Sequence, residues 1–239
     1  MSIHAALAAT AALSFTAGWL SARPTIRTLQ AQVDLLEVRL RAAQHVAGHD
    51  RLTGLPNRTS AEQLFNVREL LGAATTVALV DLDGFKRTND TYGHHAGDDL
   101  LRAVAERLAV AAKAHGGMAA RLAGDEFLLL LPTNGDEPAK PVATILNLVA
   151  EPAILRTDDG HITLHPTASA GIAVYDGIYG TFGAMLHHAD IALYHAKRHP
   201  GSHRTYHPEM RMPRNSGRHG PRRRDQRPAD GRFDGEVTP

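Results

Sequence analysis

No cysteine occurs anywhere in the 239 residues. That excludes a disulfide framework and any thiolate-ligated metal centre, and it fits a reducing compartment. Aromatic residues are scarce at 5%, so a core must be assembled from Leu, Val, Ile and Ala. An excess of one charge is missing too. The formal net charge is +1, with the basic residues concentrated in the last thirty positions, and so small a balance names no partner by itself. No internal repeat is visible. What remains is an ordinary apolar fraction of 43% and enough length for one catalytic domain with appendages.

The most informative stretch is Arg121-Leu122-Ala123-Gly124-Asp125-Glu126-Phe127, followed by Leu128 to Leu131. An apolar segment, a glycine-containing turn and a second apolar run predict a β-hairpin, with Asp125 and Glu126 at its tip. About forty residues upstream, Thr76 to Leu82 is a β-rich run that ends in acids, Asp81 and Asp83. Asp83 is expected to cap the following helix, since Asp is a leading N-cap residue. Asp81 has no such role, and an acid closing a buried strand is costly unless a partner or metal neutralises it. Two strands that deliver carboxylates to one place suit hard divalent cations beside a triphosphate. The expectation is phosphoryl or nucleotidyl transfer.

Residues 3–22 carry no Lys, Arg, Asp or Glu, a length that suits one membrane span. Trp19 is placed as an interfacial anchor, and Arg23 and Arg27 follow it. The positive-inside rule then puts the remainder of the chain in the cytoplasm. We therefore expect an anchor over 1–23 in the inner, cytoplasmic membrane, with the catalytic domain in the cytoplasm. The rivals are a cleaved signal peptide, against which no Lys or Arg precedes the run, and an Ala-rich soluble helix. Next, Ile26, Leu29, Val33, Leu36, Leu40, Ala43 and Ala47 alternate spacings of 3 and 4. That pattern predicts a coiled-coil or signalling helix over 24–48 that pairs two chains. The alternative is an amphipathic helix packed on its own domain.

Asp50 to Arg58 is turn-forming, with Ser60 the expected cap of a helix carrying Leu64, Phe65, Val67, Leu70 and Leu71. A strand at 76–82, a helix at 98–115 and the hairpin come next. They precede a helix near 138–151, short strands at 154–156 and 161–164, a strand at 168–175, a helix at 181–198 and a closing strand at 202–206. This order predicts an α+β fold, one sheet covered by helices on one side. From Pro208 apolar residues almost vanish, so 208–239 is expected to be a disordered Arg-rich tail. Arg222-Arg223-Arg224 lies among Asp225, Asp230, Asp234 and Glu236, a solvated mixture, and no specific nucleic acid partner is expected. His195 with His199, and His203 with His207, have the spacing of metal-binding pairs, but Pro200-Gly201 interrupts the second and no acid completes a set.

Four segments together resemble the successive motifs of the GGDEF domain family: Asp50–Arg58 (DRLTGLPNR), Asp81–Asp98 (DLDGFKRTNDTYGHHAGD), Ala123–Phe127 (AGDEF) and Ala189–Lys197 (ADIALYHAK). The resemblance spans about residues 48–207, and it implies a GGDEF domain over 49–207. It also implies a sheet similar to that of nucleotide cyclases and the polymerase palm, and diguanylate cyclase activity, in which a homodimer condenses two GTP into cyclic di-GMP and two pyrophosphates. By the same resemblance Asp81, the Leu82 carbonyl and Asp125 would bind Mg²⁺, two ions per GTP site, with Mn²⁺ as an alternative. Glu126 would assist deprotonation of the attacking hydroxyl. Asn89 and Asp98 would read guanine. Phe85 and Lys86 at a helix start, and Lys197 from the last helix, would receive phosphates.

Three positions depart from the family pattern. Ala123 replaces the first motif glycine, at a cost on the order of 1 kcal/mol if the turn needs a positive φ there. Ala114 and Gly117 stand where many members carry an Arg-x-x-Asp inhibitory site, so product feedback through it is expected to be absent. Lys197 is followed by Arg198-His199-Pro200-Gly201-Ser202-His203-Arg204 instead of x-x-Gly-Arg-Asn, which leaves Arg198 or Arg204 as stand-ins for a second phosphate-binding arginine.

Overall fold

The computed structural model describes residues 29–30, 32–39 and 47–212, apart from 134–136, 158–159 and 179. Residues 32–39 are helical (α1), and the seam residues Leu29, Val33 and Leu36 are exposed along the single chain. Ile26, Leu40 and Ala43 of the expected seam lie outside the described residues, as do the expected anchor and residues 213–239 of the expected tail. Among the described residues no helix is long and apolar enough to cross a membrane.

The folded unit runs α2 (Arg58–Leu70), β1 (Thr75–Leu82), α3 (Phe85–Ala114), β2 (Met118–Ala123), β3 (Glu126–Pro132), α4 (Ala139–Val149), β4 (Ala153–Thr157), β5 (Gly160–Leu164), β6 (Ala168–Tyr175), α5 (Phe182–Ala196) and β7 (His203–Thr205). Five strands form one sheet in the order β2-β3-β1-β6-β7, and β4 and β5 make a separate hairpin. β1 is central and antiparallel to both neighbours, whereas β7 returns parallel to β6 after α5. The centre of the sheet edge therefore belongs to the strand that ends in Asp81-Leu82.

The α+β order agrees with the sequence pattern, but helices cover both faces of the sheet and not one. Ala78, Val80, Leu82, Phe127, Leu129 and Leu131 face α3 and α4; Val77, Leu79, Leu128 and Leu130 face α2 and α5. Doubly covered strands read as continuous apolar runs instead of alternating ones. Leu128 to Leu131 is such a run, and all four are at most 1% exposed. Each such burial contributes on the order of 2 kcal/mol before entropy is counted.

Local capping also differs from the sequence expectation. The N-cap of α2 is Asn57, whose side chain accepts the Ser60 N–H at 3.2 Å, while the Ser60 hydroxyl donates to the Gly48 carbonyl at 2.7 Å. α3 begins at Phe85, thirteen residues before the expected start, and kinks at Gly93 (φ 83°, ψ 164°). Its first segment is polar and shows no apolar period; Phe85, packed against the α3/α4 core, anchors it. Past α5, the His195 imidazole lies 3.1 Å from the Arg211 carbonyl and the His188 and Tyr206 rings stack at 4.1 Å. The chain thus stays against α5 as far as residue 211.

Candidate functional site

β1 and β3 are paired in the register Asp81↔Glu126. Directly opposed residues of an antiparallel pair share a face, so both carboxylates leave the sheet on the α2/α5 side. β2 and β3 are joined by the two residues Gly124 and Asp125, with Ala123 paired to Glu126. Gly124 takes the left-handed conformation (φ 53°), and no residue other than glycine has positive φ among the described residues. The strain considered for Ala123 therefore does not arise: the turn asks for glycine one residue later. The Leu82 N–H donates to the Asp125 carbonyl at 3.3 Å, which ties the turn to the end of β1. The Asp125 carboxyl is raised above the usual carboxylate range, first by burial and then by the negative charge of Asp81, with Lys197 and Arg121 opposing. The two acids are close enough to repel.

Lys197 caps the C-terminus of α5, and its ammonium reaches back into this acid group. It pairs with the Asp81 carboxylate, donates to the Asp81 carbonyl at 3.0 Å and pairs with Asp83 at 2.7 Å. Asp83 does not cap α3. The N-cap is Gly84 (φ 73°), with no side-chain cap hydrogen bond. Instead the Asp83 carboxylate accepts from the Ser169 hydroxyl at 2.9 Å and the Gly201 N–H at 2.8 Å, besides Lys197. Burial pushes the Asp83 carboxyl up, but Lys197, the Gly201 N–H and Ser169 together hold it below its ordinary value.

A second cluster sits on α3. The kink at Gly93 folds the first segment back until the Asn89 side chain lies over Gly97. A β-carbon at Gly97 would stand 1.8 Å from Asn89 Oδ1 and 3.4 Å from the Phe85 ring, so only glycine allows this approach. Asn89 thereby lies over the residue that precedes Asp98; the Asp98 side chain is 44% exposed, with Arg102 4.0 Å away. An amide and a carboxylate so placed suit the acceptor and donor pattern of a guanine edge. Phe85 is partly buried and Lys86 exposed at the helix start. Arg198 is exposed, and Arg204, also exposed, donates to the neighbouring His203 carbonyl at 3.0 Å.

One residue that sequence reasoning missed holds the hairpin turn. Arg121 is 10% exposed and donates to the Gly124 carbonyl through two nitrogens, at 3.0 and 2.7 Å, and to Asp50 at 2.8 Å. Its N–H donates to the Pro56 carbonyl at 2.9 Å. The segment 50–58 is thereby stitched to the residue preceding Asp125. Nothing in the spacing of Asp50 and Arg121, seventy-one residues apart, announces it.

Among the described residues no group of three or more His, Asp or Glu is arranged to hold a metal. Asp81 and Asp125 with a backbone carbonyl are a smaller, all-oxygen set that leaves most positions to water and phosphate. Mg²⁺ binding beside nucleotides takes that form, and the repulsion felt by Asp125 shows a negative site that a cation would relieve. The residues fit the ion.

Residues 47–203 match the family described as "Diguanylate cyclase, GGDEF domain". The chain is similar to the bifunctional diguanylate cyclase/cyclic di-GMP phosphodiesterase MucR of Pseudomonas aeruginosa, with 37% identity over 71% of this chain and 25% of that protein. It is also similar to diguanylate cyclase TpbB of the same species, with 39% identity over 64% of this chain and 36% of that one. The chain spans 19–25% of the length of the first three curated relatives. Among solved structures, the coiled coil and GGDEF domain of DgcB from Caulobacter crescentus, in complex with c-di-GMP, aligns at 30% identity. The TM-score is 0.64, over 78% of this chain and 98% of that one. The isolated GGDEF domain of TpbB aligns at 34% identity and a TM-score of 0.56, over 66% and 94%. With acid-tipped hairpin, central strand and kinked helix in the family's order, the chain belongs to the GGDEF domain family.

Proposed function

We propose that the chain is a diguanylate cyclase: two protomers, each holding one GTP, face each other so that each 3′-hydroxyl attacks the other nucleotide's α-phosphate. Two P–O bonds form, two pyrophosphates leave and cyclic di-GMP results. The observation that carries this reading is the meeting of Asp81 and Asp125 at the centre of the sheet edge, where burial and mutual repulsion raise the Asp125 carboxyl.

Asp81, the Leu82 carbonyl and Asp125 hold the divalent cation, Mg²⁺ with Mn²⁺ as substitute, two ions per site. When bound, the ion neutralises triphosphate charge and acidifies the attacking hydroxyl. Asn89 and Asp98 orient the guanine. The N–H groups of Phe85 and Lys86 open a helix that no side chain caps, and this end accepts phosphates, with Lys86 and Lys197 adding charge. Glu126, opposite Asp81, takes part in deprotonating the hydroxyl. Since one protomer supplies only half of the reacting groups, activity depends on pairing through the 24–48 helix, whose exposed apolar seam supports that role. The domain spans 49–207, tethered by 1–23 at the inner membrane with the catalytic part in the cytoplasm and followed by the tail at 208–239. Turnover proceeds without feedback at Ala114 and Gly117.

The test is incubation of residues 45–208, and of the longer chain including the helix, with GTP and Mg²⁺. Cyclic di-GMP and pyrophosphate are expected, with more product when the helix is present and none above background for Asp125→Ala. A second reading, a catalytically silent domain that binds GTP or a partner to regulate something else, is favoured by relatives named as cyclic di-GMP phosphodiesterases, such as PdeR of Escherichia coli. GTP binding without pyrophosphate release would select it.

A further inference from the structure

Two carboxylates, Asp81 and Asp83, grip the ammonium of Lys197, and Asp125 feels its charge. The side chains of Lys197, Asp81 and Asp83 are only 21%, 16% and 9% exposed, so the group is too far from bulk water for solvent alone to screen its repulsion. The two aspartates that touch the lysine have different proposed roles. Asp83 has a full set of partners besides Lys197: the Ser169 hydroxyl and the Gly201 N–H, from β6 and the turn after α5. Asp81 is the acid to which the proposed function assigns a cation. A cation on Asp81 and an ammonium on the same carboxylate repel each other, so the two occupancies compete. Asp83, engaged by fixed partners, has no such competitor.

From this asymmetry we infer that Lys197 is the resident counterion of the acid site before the metal–nucleotide complex arrives. Asp83 is a positioning residue that keeps the lysine at the site's edge once Asp81 is surrendered to the cation. The inference rests on the proposed metal role of Asp81 and Asp125, and adds a transfer of Lys197 from Asp81 towards the incoming phosphates, on a tether provided by Asp83. A lysine serving only to attract phosphate would not need to touch both aspartates and the Asp81 carbonyl. A purely structural lysine would stabilise the fold without affecting cation affinity.

The experiment separates these roles by sign. Free Mn²⁺ is measured by electron paramagnetic resonance during titration of the chain without nucleotide. Lys197→Gln is expected to bind Mn²⁺ about tenfold more tightly than the parent and to melt at a lower temperature without metal. Lys197→Arg, which keeps the charge, stays near the parent affinity. Unchanged or weaker Mn²⁺ binding by Lys197→Gln overturns the inference while leaving the metal site standing. If neither the parent nor Lys197→Gln binds Mn²⁺, with or without a non-reacting GTP analogue, the proposed function itself fails. Should Lys197→Gln not fold, the ¹⁵N-ammonium resonance of Lys197 in the parent decides: it must shift when Mg²⁺ is added alone, and no shift overturns the inference. Asp83→Asn tests the tether. It is expected to raise KM for GTP several-fold in the parent background and to leave KM unchanged in the Lys197→Gln background. Equal effects in both would show that Asp83 does not act through the lysine.

Discussion

Two acid clusters on this fold have opposite electrostatic character. At the sheet edge, Asp125 is forced above its ordinary range by burial and by Asp81. Along α3, Asp99 receives the Arg156 guanidinium through two contacts at 2.7 Å and the Arg156 N–H at 3.2 Å, with Arg102 at 2.9 Å. Arg156 outweighs the small effect of burial and holds the Asp99 carboxyl far below 3.8. One cluster is satisfied by the chain's own cations and fastens β4 to α3. The other keeps, at Asp125, a burial cost and a repulsion from Asp81 that Lys197 and Arg121 offset only in part. Frustrated charge at the end of a central strand marks a site awaiting a ligand, whereas a saturated ion pair marks an attachment. The same residue type thus serves two ends, and the pairing tells them apart.

The sharpest way to break that contrast is Asp125→Asn. Removing one cation ligand should lower cyclase turnover by at least about 100-fold, as loss of a group that stabilises charge in the transition state does. The metal-free protein should become more stable at neutral pH. A carboxyl whose folded pKa is raised contributes stability that is present below its unfolded value, 3.8, and lost as pH rises through the folded value. Asp125 is therefore a burden at pH 7 that the amide removes. Thermal melts at pH 7.5 in EDTA, paired with product chromatography, check both halves; a variant that lost activity and also melted lower would contradict the assignment.

Next in size is Asn89→Ala. If Asn89 reads the base as proposed, its loss should raise KM for GTP about tenfold, equivalent to ~1.4 kcal/mol, with kcat changed far less. The helix should persist because Gly93 still supplies the kink. Steady-state kinetics over a range of GTP concentrations make the check. Asp99→Asn is smaller and opposite in kind. Cyclase activity should stay within twofold while Tm falls by about 2–4 °C at neutral pH. Since the Asp99 pKa is depressed, its contribution is full above 3.8 and fades as pH falls toward the folded value. Melting curves of parent and variant should therefore converge in acid.

The sheet-edge half of this contrast was legible in the sequence, and the Asp99–Arg156 half was not. The order of strands and helices, the hairpin tip and the acid closing β1 follow from apolar runs and from glycine placement, which are local signals. Coverage of both sheet faces was missed: the unbroken Leu128 to Leu131 carries that signal, but the order of elements pointed to one covered face. What stayed hidden is long-range. Asp83 resembles a cap because capping is local, yet its partners come from Ser169, Lys197 and Gly201, more than eighty residues away. The clasp of Arg121 on Asp50 is of the same kind. Gly97 was silent because its meaning, room for Asn89, exists only after the kink at Gly93 has folded α3 back.

The smallest expected effect concerns the residue that most visibly departs from the family pattern. Ala123→Gly restores the motif glycine, and if the turn required it, activity should rise strongly. The backbone argues otherwise. Ala123 closes β2 opposite Glu126 in the ladder, it is exposed, and the one left-handed residue of the turn is Gly124. Glycine at 123 gains no conformation the alanine lacks, and it increases the entropy lost on folding by roughly 0.5–1 kcal/mol. Turnover within twofold of the parent, with an equal or slightly lower Tm, is therefore the expected result. A tenfold rise would mean that the methyl obstructs a bound nucleotide. The contrast between a frustrated and a satisfied cluster would then need a steric as well as an electrostatic account of the hairpin tip.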